Sequence, residues 1–450
     1  MNETNVAQDS AALSDAEVVA LSDVDGMAAT TYTDAGIFEL EMQRIFGRAW
    51  IFVGHNSQIP NVGDYQRSRI GKHELLLVRD TRQQVRVLMN ACTHRGTQLC
   101  AQANGNAARF VCPYHAWSFG LDGALSAVPG LDAYPDDVKP GAAHLALKAV
   151  ARSDNYRGFI FASLASVGES LEQFLGPMTA AIDNLIDRAP NRSIQMQGGN
   201  FRVRYAGNWK LHHENANDTV HPGFVHKSSV DTARAASTTQ VYVDGGQTVN
   251  MMAANGFSRR EWDGIELHGF ANGHSFMGGF YKSGILAQRK DDLVANEYRA
   301  ILERAQGKEA AEAILGMDRF NNLVWPNLSI NAQFHQIRVV HPISVNETEI
   351  QGFCFRLDGA PDAIFHRAVR FLGTLVSPAS MIFSDDLEIF ERVQRGLETA
   401  QLQRSNSTRG AHLDTEPESG TWWRSSCASE LPLRVQSRAW RRWMCAEVSE

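Results

Sequence analysis

Cys92-Thr-His-Arg-Gly96, "CTHRG", sets a thiol and an imidazole two positions apart, ahead of a glycine. Alone, the stretch is a buried cysteine next to an exposed histidine. Downstream, Cys112–Trp117 reads "CPYHAW", a second loop with one cysteine and one histidine. The residues between the loops suffice for an out-and-back β excursion that brings the two tips together. A zinc finger usually takes its cysteines first and its histidines later. Here each loop supplies one of each, which suits a two-iron cluster with both thiolates on one iron and both imidazoles on the other. Cys100 has Gln102 where a matching loop would carry histidine, so it reads as buried and non-ligating. The bland alternative is a coincidence of buried thiols and surface histidines.

The rest of the chain bounds the possibilities. A formal net charge of -7 argues against nucleic acid as a partner. No apolar run approaches the ~20 residues of a membrane helix. No Lys or Arg precedes Arg44, against a secretory or mitochondrial presequence. Six cysteines in 450 residues are too few for a disulfide scaffold and fit a cytoplasmic protein. Residues 1–35 are polar and acidic and read as a loose arm. Residues 36–165 open on a helix face of Ile37, Leu40, Ile45 and Phe46. Short apolar runs follow ("HELLLVRD", "VRVLMN", "RGFIFASL"), the pattern of a small all-β unit. Residues 166–450 mix strands ("FRVRYAG", "NLVWPNLSIN", "HQIRVVHPI", "EIQGFCFRL") with helices ("PDAIFHRAVRFLGTLV", "SDDLEIFERVQRGLE"), which predicts an α+β domain. In the last helix Ile389, Val393 and Leu397 share a face.

A second constellation lies in residues 208–226, "NWKLHHENANDTVHPGFVH". On a continuous helix His221 and His226 would sit about 140° apart. Pro222 and Gly223 interrupt it, so the chain can bend both imidazoles to one point. Asp218 lies one turn before His221, within reach of its ring. The alternative is a polar helix end with solvated histidines.

With Leu121–Gly123, "LDG", the paired loops resemble the Rieske [2Fe-2S] domain. The resemblance implies Cys92 and Cys112 on one iron and His94 and His115 on the other, loops shaped by Gly96 and Pro113, and a cluster shielded by Trp117. The second stretch is similar to the catalytic motif of aromatic-ring-hydroxylating oxygenase α (large) subunits, which hold a mononuclear Fe(II) on two histidines and one carboxylate. His221 and His226 match the histidines. Residues 383–394, "FSDDLEIFERVQ", match the place of the third ligand, with Asp386 aligned and Asp385 as the alternative. Both acids, with Ser384 as cap, would also suit a helix N-terminus without metal. Val220 stands where many members have tyrosine. His212 and His213 match no ligand position and read as helix-surface residues.

The resemblance implies a Rieske β domain followed by a helix-grip domain, an antiparallel sheet round a long helix. It implies a terminal oxygenase for O2-dependent (di)hydroxylation of an aromatic ring, of the kind that acts on monocyclic aromatic acids or anilines. No nucleotide-binding glycine loop is visible, so electrons come from a separate reductase, with or without a ferredoxin. Family members assemble as ring-shaped α3 or, with a small β subunit, α3β3. In them the acid matching Asp218 bridges to the Rieske histidine of a neighbouring subunit, here His115. Asn215 and Ile382 are expected to border the substrate pocket. Arg338 is a candidate partner for a carboxylate, although a strand arginine more commonly pairs with an acid or faces solvent. Rival readings are a monooxygenase or O-demethylase on the same scaffold, or an electron-transfer or assembly subunit without mononuclear iron. The basic tail "RVQSRAWRRWM" is expected to cap the fold or a subunit contact rather than bind a membrane surface.

Overall fold

A computed structural model describes residues 13–23, 25–196, 198–236, 247–258, 260, 262, 264–280, 292–399, 402–415 and 422–445. The N-terminal β unit is built from three small antiparallel sheets. One pairs Ile51–His55 with Phe159–Ser163 and the latter with Arg152–Tyr156. A second runs Val85–Met89, His73–Arg79, Asp64–Ile70, Asn104–Asn106, and the third joins Phe110–Val111, Ser118–Phe119 and Leu125–Ala127. Strand His73–Arg79 shows why "HELLLV" is a continuous apolar run. Leu75 and Leu77 enter the main core, while Leu76 and Val78 enter a second core with Phe110, Trp117 and Phe119. Successive strand side chains face opposite ways, and here both faces are buried.

The larger unit carries a nine-stranded antiparallel sheet. Its long hairpin, Gln336–Ser344 and Glu347–Leu357, pairs on one side with Leu328–Asn331 and on the other with Ile194–Met196 and Phe201–Tyr205. Helices Lys210–Ala216, Phe383–Thr399 and Leu431–Cys445 complete it. No helix among the described residues is long and apolar enough to cross a membrane.

Four expectations change. Residues 1–12 lie outside the described residues, but the following stretch is not a loose arm. A capping box between Ser14 and Glu17 opens helix Asp15–Leu21, Val18 is fully buried, and Ser22 Oγ meets Ser437 Oγ at 2.6 Å. His212 and His213 are buried rather than on the surface. Helix Phe383–Thr399 is capped by Ser380, whose Oγ accepts the Phe383 N–H, and not by Ser384. Its buried face is Phe383, Asp386, Phe390 and Gln394, while Val393 is 40% exposed. Two polar residues lie on that face, and an apolar count rotates the helix away from them.

The packing converges on Glu41, which is fully buried. Its carboxylate accepts from Lys210 Nζ at 2.7 Å, Trp209 Nε1 at 2.8 Å and Trp440 Nε1 at 2.6 Å. Lys210 also donates to the Thr31 carbonyl, and its ammonium lies over the rings of Tyr32 and Trp209. Asn208 spans the carbonyls of Tyr32 and Val345. "NWK" is thus the splice between the N-terminal helices, the C-terminal helix and the helix that leads into the histidines. Removing one partner of a buried ion pair leaves an uncompensated charge and costs about 3–5 kcal/mol. Glu41→Ala is expected to lower unfolding stability by about that amount, measured by denaturant titration. A loss below about 1 kcal/mol, the scale of a surface pair, would contradict the assignment of Glu41 as a hub.

Candidate active site

The two cysteine–histidine loops have matching backbones. The Gly96 N–H donates to the Cys92 carbonyl at 2.8 Å, and the Ala116 N–H to the Cys112 carbonyl at 3.0 Å. Both closing residues take positive φ, 75° at Gly96 and 56° at Ala116. Glycine adopts this region freely, whereas alanine is held there by the loop. Each loop therefore turns its cysteine inward and its histidine outward. Cys92 and Cys112 are 2% and 3% exposed, while His94 and His115 are half-buried at the tips.

The two imidazole centroids are 4.8 Å apart. His94 stacks on Trp117 at 4.7 Å, and Tyr114 lies against His115. Burial pushes the Cys92 thiol up, whereas backbone N–H groups of Tyr114 and His115 outweigh burial and bring the Cys112 thiol down. His115 Nδ1 is buried without a hydrogen-bond partner. Two inward thiols, two outward imidazoles and an orphaned ring nitrogen fit a Rieske cluster. Cys100 lies outside this set, and burial raises its thiol to about 11.

The second site is built at a change of helix. Lys210–Ala216 ends at Asn217, the chain turns through Val220, and Pro222 opens a one-turn helix, Pro222–Val225. The break thus lies just before His221, and Pro222 starts a helix instead of ending one, since its missing N–H is no loss at a first helical position. His221 and His226 flank that single turn. Their ring centroids are 5.4 Å apart. Both Nε2 atoms aim at Asp386 Oδ1, at 3.6 Å from His221 and 3.3 Å from His226. The three ligand-type atoms lie within 4.8 Å of one another.

Each outer ring nitrogen faces another acid. His221 Nδ1 is 3.4 Å from Asp218 Oδ2, and His226 Nδ1 is 3.3 Å from Asp385 Oδ2. The neighbouring acids thus divide: Asp386 points into the triad and Asp385 stands behind His226. Two imidazoles and one carboxylate on one face, with the opposite side open to a cavity, fit mononuclear iron. Burial works against the charged imidazole, but Asp218 and Asp386 together lift His221 to about 9. His221, the Val220 N–H and Arg409 hold the Asp218 carboxyl far below the usual range despite burial, and His221 and His226 do the same for Asp386.

Asn215 Nδ2 touches His221 Nε2 at 3.0 Å and Asp386 Oδ1 at 3.2 Å, so it borders the triad as well as the cavity. Ile382 lines the same cavity. Sequence reading missed Asp385 as a histidine partner. It also missed Arg409, whose Nη2 pairs with Asp218 Oδ1 at 2.8 Å and Glu430 at 3.2 Å. Nothing in the local sequence links Arg409 to a site almost two hundred residues upstream.

A metal-histidine cavity joined to a two-cysteine, two-histidine β domain defines a Rieske-type non-heme iron oxygenase. Residues 49–145 match the family model of the Rieske [2Fe-2S] domain, and residues 195–444 that of the ring hydroxylating alpha subunit catalytic domain. The chain is 33% identical to toluate 1,2-dioxygenase subunit alpha of Pseudomonas putida, over 86% of this chain and 82% of that one. It is 31% identical to the 2-halobenzoate 1,2-dioxygenase large subunit of Burkholderia cepacia, over 84% and 79%. A crystal structure of naphthalene 1,2-dioxygenase bound to phenanthrene superposes with a TM-score of 0.80 at 25% identity, covering 96% of each chain. The chain belongs to the ring-hydroxylating oxygenase alpha subunits. It is an oxidoreductase with a Rieske [2Fe-2S] cluster and a mononuclear iron.

Replacing Cys92 by Ala should abolish the Rieske EPR signal, since a cluster ligand is lost. Asp386→Ala should keep that signal and lose the mononuclear iron and all product. If Asp386→Ala stays active while Asp385→Ala does not, the roles of the two acids are reversed.

Proposed function

We propose that this chain is the terminal component that adds both atoms of O2 across the ring of a monocyclic aromatic acid or aniline. The cavity carries the reading. It opens on His221, His226 and Asp386 and is walled by Met251, Trp262, Phe280, Phe320 and Phe371, a shape for a flat apolar ring beside a metal. Relatives support the acid class, since toluate, 2-halobenzoate and anthranilate 1,2-dioxygenases are 33%, 31% and 30% identical to it. The cluster's ligands are Cys92, Cys112, His94 and His115, within a Rieske domain over 36–165. The mononuclear iron's are His221, His226 and Asp386, within a catalytic domain over 166–450.

Bound iron supplies O2 activation, and the cluster supplies single electrons. The chain's own residues do the rest. Asp218 and Asp385 orient the two imidazoles from behind. Asn215 fixes the approach of His221 to Asp386. The aromatic wall excludes water from the reacting ring. Electrons arrive from a separate reductase, directly or through a ferredoxin.

The working unit in this reading is a ring-shaped trimer, alone or with a small β subunit, in which Asp218 leads to His115 of the neighbouring copy. Phe224 and Val220, 80% and 39% exposed beside His221, give that contact apolar surface. Tyr114 is 56% exposed at the tip of its loop, beside the half-buried His115. We place the protein in the cytoplasm, where its six cysteines, none of them in a disulfide, stay reduced. A monooxygenase reading keeps some support from the N,N-dimethyl phenylurea N-demethylase subunit alpha of a Sphingobium species, 27% identical.

Turnover of benzoates and anilines under 18O2 should place two labelled oxygens in the product. A single label would favour the monooxygenase. Asp218→Asn should assemble and bind both metals, yet reoxidise its cluster orders of magnitude more slowly when mixed with O2 and substrate in stopped flow. Wild-type reoxidation rates would remove Asp218 from the electron route.

A further inference from the structure

Arg338 lies in strand Gln336–Ser344, paired with Ser329 on one side and Gly352 on the other. Its strand neighbours Ile337, Val339 and Val340 are buried in the core. The guanidinium makes no ion pair and no hydrogen bond among the described residues; its one described contact is the Phe383 ring, 5.8 Å from the centroid. Other deep arginines behave differently. Arg367 forks onto Asp292 at 2.7 and 2.8 Å, and Arg434 onto Asp414 at 2.8 Å through both Nε and Nη2. Arg338 is sunk in the protein, yet the surface it keeps opens into the cavity that exposes His221, His226 and Asp386.

An unpaired cation in a largely apolar cavity is costly, and guanidinium cannot shed its proton to relieve it. Burial lowers its proton affinity, and Asp386 is the carboxylate whose field opposes this. With a divalent iron bound, Asp386 is committed to the metal, and the charge of Arg338 is left without a counter-ion. The wall behind adds no rival positive charge. Burial, reinforced by Arg338 itself, holds His212 well below the usual imidazole range, and burial takes His213 to about 4. Ser329, Asn331 and Gln336 join Arg338 in the cavity's lining, whose apolar members include Trp262, Met277, Phe320 and Leu375.

We propose that Arg338 is the anchor for the substrate's carboxylate, taking it in a forked pair and so deciding which ring edge faces the iron triad. This deepens the aromatic-acid reading and rests on it. Planar guanidinium matches planar carboxylate through two parallel N–H···O bonds, which fixes orientation as well as affinity. The anchor accounts for preference for an acid over a neutral arene of the same shape, because a neutral ring would leave the cation buried and unpaired.

The test compares benzoate with nitrobenzene, its uncharged isostere, on wild-type, Arg338→Met and Arg338→Lys holoenzymes. KM is read from substrate-coupled O2 uptake and Kd from calorimetry without O2. Losing a charge-assisted pair should raise the benzoate Kd and KM about 10- to 100-fold in Arg338→Met, with nitrobenzene unchanged or tighter. Arg338→Lys keeps the charge without the fork and should fall between. If the Met variant does not fold, the benzoate-to-nitrobenzene Kd ratio must still rise in the Lys variant. Wild-type benzoate oxidation with an unchanged Kd ratio in both variants overturns the anchor, as does equal weakening of both probes. A wild-type enzyme that oxidises nitrobenzene and rejects benzoates overturns the aromatic-acid reading itself.

Discussion

The architecture hangs on one buried carboxylate. Glu41 has no exposed surface, and its two oxygens are taken by an ammonium and two indole N–H groups from distant segments. A charge in that position is tolerable only if every partner arrives together. The N-terminal helices, the catalytic helix and the C-terminal helix are thereby fixed to one another. Asn215, Asp218 and His221 follow within a dozen residues of Lys210, so the position of the site is inherited from this hub. The C-terminal "RVQSRAWRRWM" also gains its purpose here: Trp440 closes the pair, and Arg44 reaches the Met444 carbonyl at 2.6 Å.

The two metal sites follow one design rule. At both sites, candidate ligands are backed by groups outside the ligand set. At the triad the steadying groups are acids, Asp218 behind His221 and Asp385 behind His226. At the Rieske loops they are a left-handed turn on each side and the Trp117 ring under His94. Such support orients the rings toward the place a metal would take. Asp218 is itself pinned by Arg409, and Arg409 by Glu430, which ties the outer side of His221 to the C-terminal region.

The metal-bearing loops were legible in the sequence because their spacing is local. Cys92 to Gly96 and Cys112 to Trp117 each declare a turn, and Asp218, His221 and His226 fall within one bend. Asp386 was legible only through resemblance, since an acid at a helix start is ordinary. What escaped was whatever depends on long-range burial of polar groups. His212 and His213 looked like surface residues because histidine is polar, yet both are buried, His212 against Phe383 and Phe390 and His213 on the Pro326 carbonyl. Apolar periodicity alone rotates the helix carrying Asp386 toward Ile389 and Val393, because Asp386 and Gln394 carry no apolar signal. Glu41 and Arg409 were invisible because partners of each are distant in sequence: Glu41 meets Trp209, Lys210 and Trp440, and Arg409 meets Asp218. Arg338 was ambiguous on its strand and became informative only when no acid among the described residues was found paired with it.

The central claim is that one chain carries two kinds of iron site. Iron and acid-labile sulfide should be quantified on purified protein, alongside EPR of the reduced enzyme. The account predicts about three irons and two sulfides per chain with a Rieske signal, and loss of only the one iron outside the cluster in a chain lacking the His221 imidazole. Two irons per chain in active protein, or a third iron that survives loss of His221, would contradict it.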